Sequence, residues 1–253
     1  MQKMLSRVRK CVQDYEMISE GDRIAVGVSG GKDSLATLRV MHELSRFYPK
    51  KFEVLALTVD MGYEEMDFSK LEALCADLGI EYHRIKTDIK TVVFDVRKEE
   101  NPCSLCANMR RGALYSEAVR LGCKKVAYGH HMDDAVNTFI MSLVYEGRIS
   151  CFTPVTYLSR TDITLIRPML YTTEAEIAGF VKKYELPVVH NPCPANGITK
   201  RNTAAEILSM MRAERQNAYE AEVRLQAREM AQLLSTWEAD TFWRRSPGTD
   251  STI

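Results

Sequence analysis

Residues 23–34 read RIAVGVSGGKDS, and the order of residue types in this stretch sets the fold. Arg23 to Ser29, RIAVGVS, is a short β-branched run and reads as the first strand. A glycine pair follows. Beyond it, apolar residues recur at Leu35, Leu38, Met41 and Leu44, a spacing that gives a helix one buried face. Strand, tight loop and helix thus follow in direct succession. The same rhythm continues in a strand from Phe52 to Asp60 and a helix near Phe68 to Leu78, then in a strand from Glu81 to Ile85 and a helix near Asp88 to Val96. The pattern predicts an α/β domain with a parallel sheet.

Past Asn101 the regularity breaks. A turn carrying two cysteines precedes a predicted helix from Ala107 to Leu121, a strand from Lys125 to Tyr128 and a helix from Asp133 to Tyr145. The stretch from Cys151 to Pro168 reads as an irregular region or β-hairpin, and Thr173 to Tyr184 as a helix. Beyond Thr203 a helical pattern with mixed charge runs to about Trp237. The division expected is a main domain over 1–211, a helical extension over 212–245 that could pack in a homodimer, and a frayed tail over 246–253.

Composition narrows the class. With 253 residues, 45% hydrophobic and 27% charged, the chain can build a large core, and disordered or fibrous classes are excluded. No apolar run reaches membrane-spanning length, and the basic opening MQKMLSRVRK lacks an apolar stretch after it, so a soluble cytoplasmic protein is expected. Seven cysteines without an export signal read as reduced thiols or metal ligands. Lysine plus arginine (34) equals aspartate plus glutamate (34). Any nucleic-acid contact must therefore come from local basic clusters such as Arg110-Arg111, Lys124-Lys125, Lys182-Lys183 and Lys200-Arg201.

Ser29-Gly30-Gly31-Lys32-Asp33-Ser34 lies where phosphates bind in open sheets. The glycines let backbone amides close on an anion, the following helix adds a favourable dipole, Lys32 and Ser34 reach further oxygens, and Asp33 can hold Mg2+. The string is neither a Walker A loop nor G-x-G-x-x-G. It resembles the loop of the PP-loop ATP pyrophosphatase superfamily, whose members split ATP between its α- and β-phosphates to activate a carbonyl oxygen. Gly129-His130-His131-Met132-Asp133-Asp134 resembles the GHxxDD signature of that superfamily's tRNA-modifying branch. Two carboxylates opening a helix can bind a cation or move a proton; the plainer alternative makes Asp133 an N-cap and the histidines packing residues.

Cys103-Ser104-Leu105-Cys106 is by itself compatible with a redox pair, part of a zinc site or ligands of an iron–sulfur cluster. Cys193, in His190-Asn191-Pro192-Cys193-Pro194, offers a third thiolate, and His190 could complete a zinc site. Cys11, Cys75, Cys123 and Cys151 occupy apolar or helical settings. The string from Asn101 to Asp134, NPCSLCANMRRGALYSEAVRLGCKKVAYGHHMDD, closely resembles the TtcA family of tRNA 2-thiocytidine synthetases. The resemblance extends from about Met1 to Met211 and includes Ile166 to Tyr171, IRPMLY.

What it implies is specific. The fold would be a Rossmann-like, open, mostly parallel sheet of the PP-loop type. Cys103, Cys106 and Cys193 would hold a [4Fe–4S] cluster, and Ser29 through Ser34 the phosphates. Asp60, Arg110 and Gly129 would complete the nucleotide site, with Lys32, Asp134 and the two paired cysteines catalytic. ATP, Mg2+, tRNA and a sulfide source such as a cysteine desulfurase would be cofactors and partners, and no membrane would be involved. The reaction implied replaces the C2 oxygen of a tRNA cytidine with sulfur. Alternatives are a related iron–sulfur enzyme acting on another RNA base or a small molecule, and a zinc-stabilised nucleotide-binding module without turnover. The chain departs from the family in reading PCPANG where a second C-x-x-C is usual, and in lacking a match after Met211.

Overall fold

The computed structural model describes residues 1–97, 102–193, 203, 204 and 206–210. The expected extension over 212–245, the tail and the Lys200-Arg201 pair lie outside these residues. Six strands form one sheet in the order β3-β2-β1-β4-β6-β5: β1 (Asp22–Gly27), β2 (Phe52–Asp60), β3 (Glu81–Lys86), β4 (Lys125–Ala127), β5 (Val155–Leu158) and β6 (Ile163–Ile166). Neighbours run parallel except β5 against β6. The apolar run of the first strand is explained by its central place, for Ile24, Ala25 and Val26 are wholly buried between two strands and two layers. From β1 the chain winds outward through β2 and β3, then returns to the other side of β1 for β4 and β6. That reversal opens a crevice at the carboxyl ends of β1 and β4.

Helix α2 (Lys32–Ser45) carries the first strand's continuation and buries Leu35, Leu38, Met41 and Leu44, as their spacing predicts. The other helices are α1 (Gln2–Asp14), α3 (Ser69–Leu78), α4 (Pro102–Arg120), α5 (Met132–Glu146) and α6 (Glu174–Lys183). The expected hairpin near residues 151–168 is present as β5 and β6, its turn closed by Asp162 at φ 52°.

One element was not anticipated and two local expectations are corrected. The basic opening is helix α1, with Met4, Val8, Cys11 and Val12 buried on one face and its cations outward; Arg7 reaches Glu176 of α6 at 2.5 Å. The segment expected to be an ordinary helix near Asp88 to Val96 is a π-helical turn at Thr91–Val96, a sequence rich in β-branched residues that crowd a regular helix. Helix α4 starts at Pro102 rather than Ala107, since proline's fixed φ suits a first helical turn and its missing N–H costs nothing there. Cys103 and Cys106 therefore stand one turn apart on a helix, not in a turn before it.

Candidate active site

The phosphate loop holds its shape through its own hydroxyls. Ser34 Oγ donates to the Gly31 carbonyl at 2.8 Å and accepts from the Ser29 amide at 3.2 Å, while Gly31 N–H points to Ser29 Oγ at 3.4 Å. Gly30 has φ 84°, and a Cβ there would sit 2.7 Å from Val189 Cβ. The Val189 amide also donates to the Gly30 carbonyl at 3.0 Å, so the segment leading to Cys193 is seated on this loop. Lys32 Nζ lies 3.1 Å from Asp33 and 3.0 Å from Glu174. Burial pulls its pKa down, but these two carboxylates outweigh it and hold the ammonium above its ordinary value.

The second motif touches the first through a glycine. A Cβ on Gly129 would stand 2.8 Å from the carbonyl carbon and oxygen of Asp33 and 3.0 Å from Thr37 Oγ1, so the two segments approach more closely than any side chain permits. The plainer reading of Asp133 as N-cap is corrected. His131 occupies the cap, its amide donating to Asp134 at 3.1 Å, and Asp133 accepts the Glu174 amide at 2.7 Å, tying α5 to α6. His131 is buried among three carboxylates: its Nε2 is 3.4 Å from Asp134 and 3.8 Å from Asp33, its Nδ1 3.6 Å from Asp133. Asp33 Oδ1 is buried without a hydrogen-bond donor, an acceptor suited to a hard cation.

Both motifs open on a cavity of about 650 Å³ in the crevice. Ser29, Asp33, Ser34 and Asp134 form its polar floor, and Leu57 and Val59 of β2 its apolar side. Arg110 and Arg111 of α4 cover it. On the β4 and β6 side stand aromatic rings, with His130 5.6 Å from Tyr128 and 5.1 Å from Phe152, and the Arg167 guanidinium 5.0 Å over Phe152. The sequence reading marked neither Phe152 nor Arg167 as a site residue, because a buried charge has no signature in the order of residues.

The cysteines gather beside this cavity. Cys106 is half-buried, and burial pushes its thiol up; Arg110 works against that, while neighbouring Cys193 and Cys103 add to it. The Tyr63 hydroxyl is within hydrogen-bonding range of Cys193, and Met61 Sδ is 3.8 Å from Cys106 Sγ. Cys103 is exposed. The three thiols are neighbours, though among the described residues no three His, Cys, Asp or Glu side chains stand in coordinating positions. Three neighbouring thiols are a donor set that fits an iron–sulfur cluster, and His190, like Cys103, is exposed. Cys75, Cys123 and Cys151 differ: burial pushes each thiol up to about 11.

Two sets of expected residues are placed elsewhere. Asp60 is buried at the end of β2, where Arg84 grips one oxygen at 2.7 and 2.9 Å and the Gly62 amide the other at 3.0 Å. Replacing Arg84 with Met strands that carboxylate and should lower stability by about 1–3 kcal/mol, measurable by urea unfolding. Of the basic pairs, Lys125 is joined to Asp22 at 2.7 Å and Lys124 to Asp162 at the amino ends of the strands, and Lys182-Lys183 close α6. Among the described pairs, Arg110-Arg111 is the one at the cavity.

A family model described as a PP-loop domain matches residues 1–209, so fold and loop define a nucleotide-binding PP-loop protein. The tRNA-cytidine(32) 2-sulfurtransferase of Citrifermentans bemidjiense is 36% identical over 215 residues, 84% of each chain. That of Geobacter sulfurreducens is 37% identical over 196 residues, 77% of this chain and 76% of its own. The chain belongs to this PP-loop family of tRNA-cytidine 2-sulfurtransferases, the TtcA family, whose members are transferases. Its fold is similar to the U34-tRNA thiolase NcsA from Methanococcus maripaludis, solved with its [4Fe–4S] cluster, at a TM-score of 0.73 and 24% identity over 94% of this chain and 79% of that one. Among the described residues no helix is long and apolar enough to cross a membrane.

Proposed function

We propose that the chain is a cytoplasmic, ATP-dependent tRNA sulfurtransferase that converts a cytidine, at the position named for its relatives, to 2-thiocytidine. The observation that carries this reading is one cavity shared by the phosphate loop, the Asp134 carboxylate and Arg110, which also reaches Cys106, itself a neighbour of Cys103 and Cys193. The amides of residues 29–34 and Lys32 grip the outer phosphates of ATP, and Asp33, with its unpartnered oxygen, holds Mg2+. The α-phosphorus is then presented to the C2 oxygen of the cytidine. That oxygen attacks, pyrophosphate leaves, and the C2 carbon becomes an electrophile whose oxygen now departs with AMP when sulfide adds.

Asp134 is the carboxylate placed to steady the cation or take a proton at the floor of the cavity. Cys103, Cys106 and Cys193 would hold a [4Fe–4S] cluster, which when bound supplies an iron not ligated by protein, open to sulfide. Arg110, touching both cavity and Cys106, keeps the nucleotide and sulfur ends in register. A sulfide source provides the sulfur; where this is a cysteine desulfurase, a thiol reductant supplies the two electrons that release its persulfide sulfur as sulfide. The test is incubation of the anaerobically purified protein with ATP, sulfide and tRNA, followed by nucleoside mass analysis. 2-Thiocytidine, with AMP and pyrophosphate as co-products, is expected; ADP and phosphate, or unchanged tRNA, would overturn the reading. Lys32→Ala should slow AMP release by about a hundredfold or more, the usual cost of one preorganised donor.

A further inference from the structure

Cations held inside this fold meet carboxylates. Lys125 lies 2.7 Å from Asp22, Arg84 2.7 Å from Asp60, and Arg39 2.7 Å from Glu43. Arg167 is only 8% exposed, yet among the described residues it forms no ion pair with a carboxylate; the Tyr115 and Tyr128 hydroxyls and the Cys151 thiol are the titratable groups near it. Nη1 donates to the Thr153 carbonyl at 2.6 Å and to Thr156 Oγ1 at 3.0 Å, fixing the head against the β5–β6 hairpin. Nε is buried without an acceptor. The side chain lines the same cavity as Ser29, Ser34 and Asp134.

An ionised group taken out of water without a counter-charge is costly, and burial pushes this guanidinium's pKa down. A ligand that carries negative charge into the cavity would offset the cost, and the planar fork of arginine matches phosphoryl oxygens. We infer that Arg167 is an anion receptor of the cavity and takes phosphoryl oxygens, either of the nucleotide's α-phosphate or of the RNA phosphate beside the modified base. The inference rests on ATP and tRNA sharing this cavity. Its placement suits both sources: Arg167 directly follows β6, across β1 and β4 from Leu57 and Val59 of β2, and lines the same cavity. Phe152 beneath it holds the guanidinium in place by a cation–π contact.

The test compares wild type with Arg167→Met, which keeps length and apolar contact but removes charge and fork. Calorimetry on the anaerobically purified proteins measures affinity for AMP and, separately, for an anticodon stem-loop RNA. At least one affinity should fall by about tenfold or more, as loss of a charge-assisted bond predicts. Loss for AMP assigns the α-phosphate; loss for RNA with AMP unchanged assigns the RNA phosphate. A lower melting temperature with both affinities unchanged would make Arg167 a staple of the hairpin and overturn the inference. Should the Met variant not fold, Arg167→Lys, which keeps a charge without the fork, is read in the same way. Wild-type protein that binds neither ligand overturns the functional reading itself; binding by wild type and variant alike overturns this inference alone.

Discussion

Gly129→Ala is expected to abolish AMP formation within the limits of a sensitive assay and to lower stability by about 1–3 kcal/mol, the range for an overpacked core site. The added carbon has nowhere to go. It would meet the carbonyl of Asp33 at 2.8 Å and Thr37 Oγ1 at 3.0 Å, and both belong to the first turn and a half of α2, whose Thr37 hydroxyl already donates back to the Asp33 carbonyl at 2.7 Å. Backbone cannot swing aside as a flexible side chain does. Either α2 retreats, carrying Lys32, Asp33 and the phosphate loop with it, or the segment between β4 and α5 is displaced, carrying His130 and the start of α5 with Asp134. In both cases the two halves of the nucleotide site separate, and misplacement on this scale is enough to cost a reaction most of its rate. Gly179→Ala is the control: on α6 nothing lies within 4 Å of the added carbon, and exchanging a helical glycine for alanine should stabilise the fold by up to about 1 kcal/mol. Calorimetric melting and nucleotide binding on the two variants separate the effects. A Gly129→Ala protein that binds AMP and melts like wild type would show that the contact is not tight.

Much of this arrangement was legible in the sequence for a simple reason. A doubly covered parallel strand must be apolar throughout, and a loop closing on phosphate needs glycines, so Ile24 to Ser34 announces both fold and site. The GHHMDD segment was legible as a partner of that loop by resemblance, but not its inner geometry: that His131 rather than Asp133 caps α5, with three carboxylates around one imidazole, depends on which way the chain enters the helix. Helix α1 escaped because four bases among its first residues mask an apolar face formed by Met4, Val8, Cys11 and Val12. Asp60 reads as a strand-end acid, as a nucleotide ligand would, and only the approach of Arg84 from β3 reveals its occupied carboxylate. Arg167 was legible solely as part of IRPMLY. Its burial without a counter-ion arises from long-range packing of the β5–β6 hairpin against β4, which no local pattern encodes.

Cys106→Ala and Cys193→Ala should each remove the broad visible absorbance and the acid-labile sulfide of the anaerobically purified protein, while Cys151→Ala leaves both intact. The distinction is chemical. A thiol binds metal as thiolate, and burial at Cys75, Cys123 and Cys151 keeps their thiols protonated near neutrality, at about 11. Cys151 already donates to the Ala135 carbonyl at 3.4 Å. Cys103 and Cys106, by contrast, stand one turn apart at the start of α4 with Cys193 as their neighbour; burial raises the Cys106 thiol too, but there Arg110 works against it. Cys193 comes to them from the far side, carried by the segment whose Val189 packs on Gly30. A site with three protein thiolates has no spare, so losing one should release most of the iron rather than weaken binding by degrees. Retention of a full complement of iron and sulfide in the Cys193 variant would place the cluster on other ligands. Loss in the Cys151 variant as well would point to general collapse, which circular dichroism on the same samples detects.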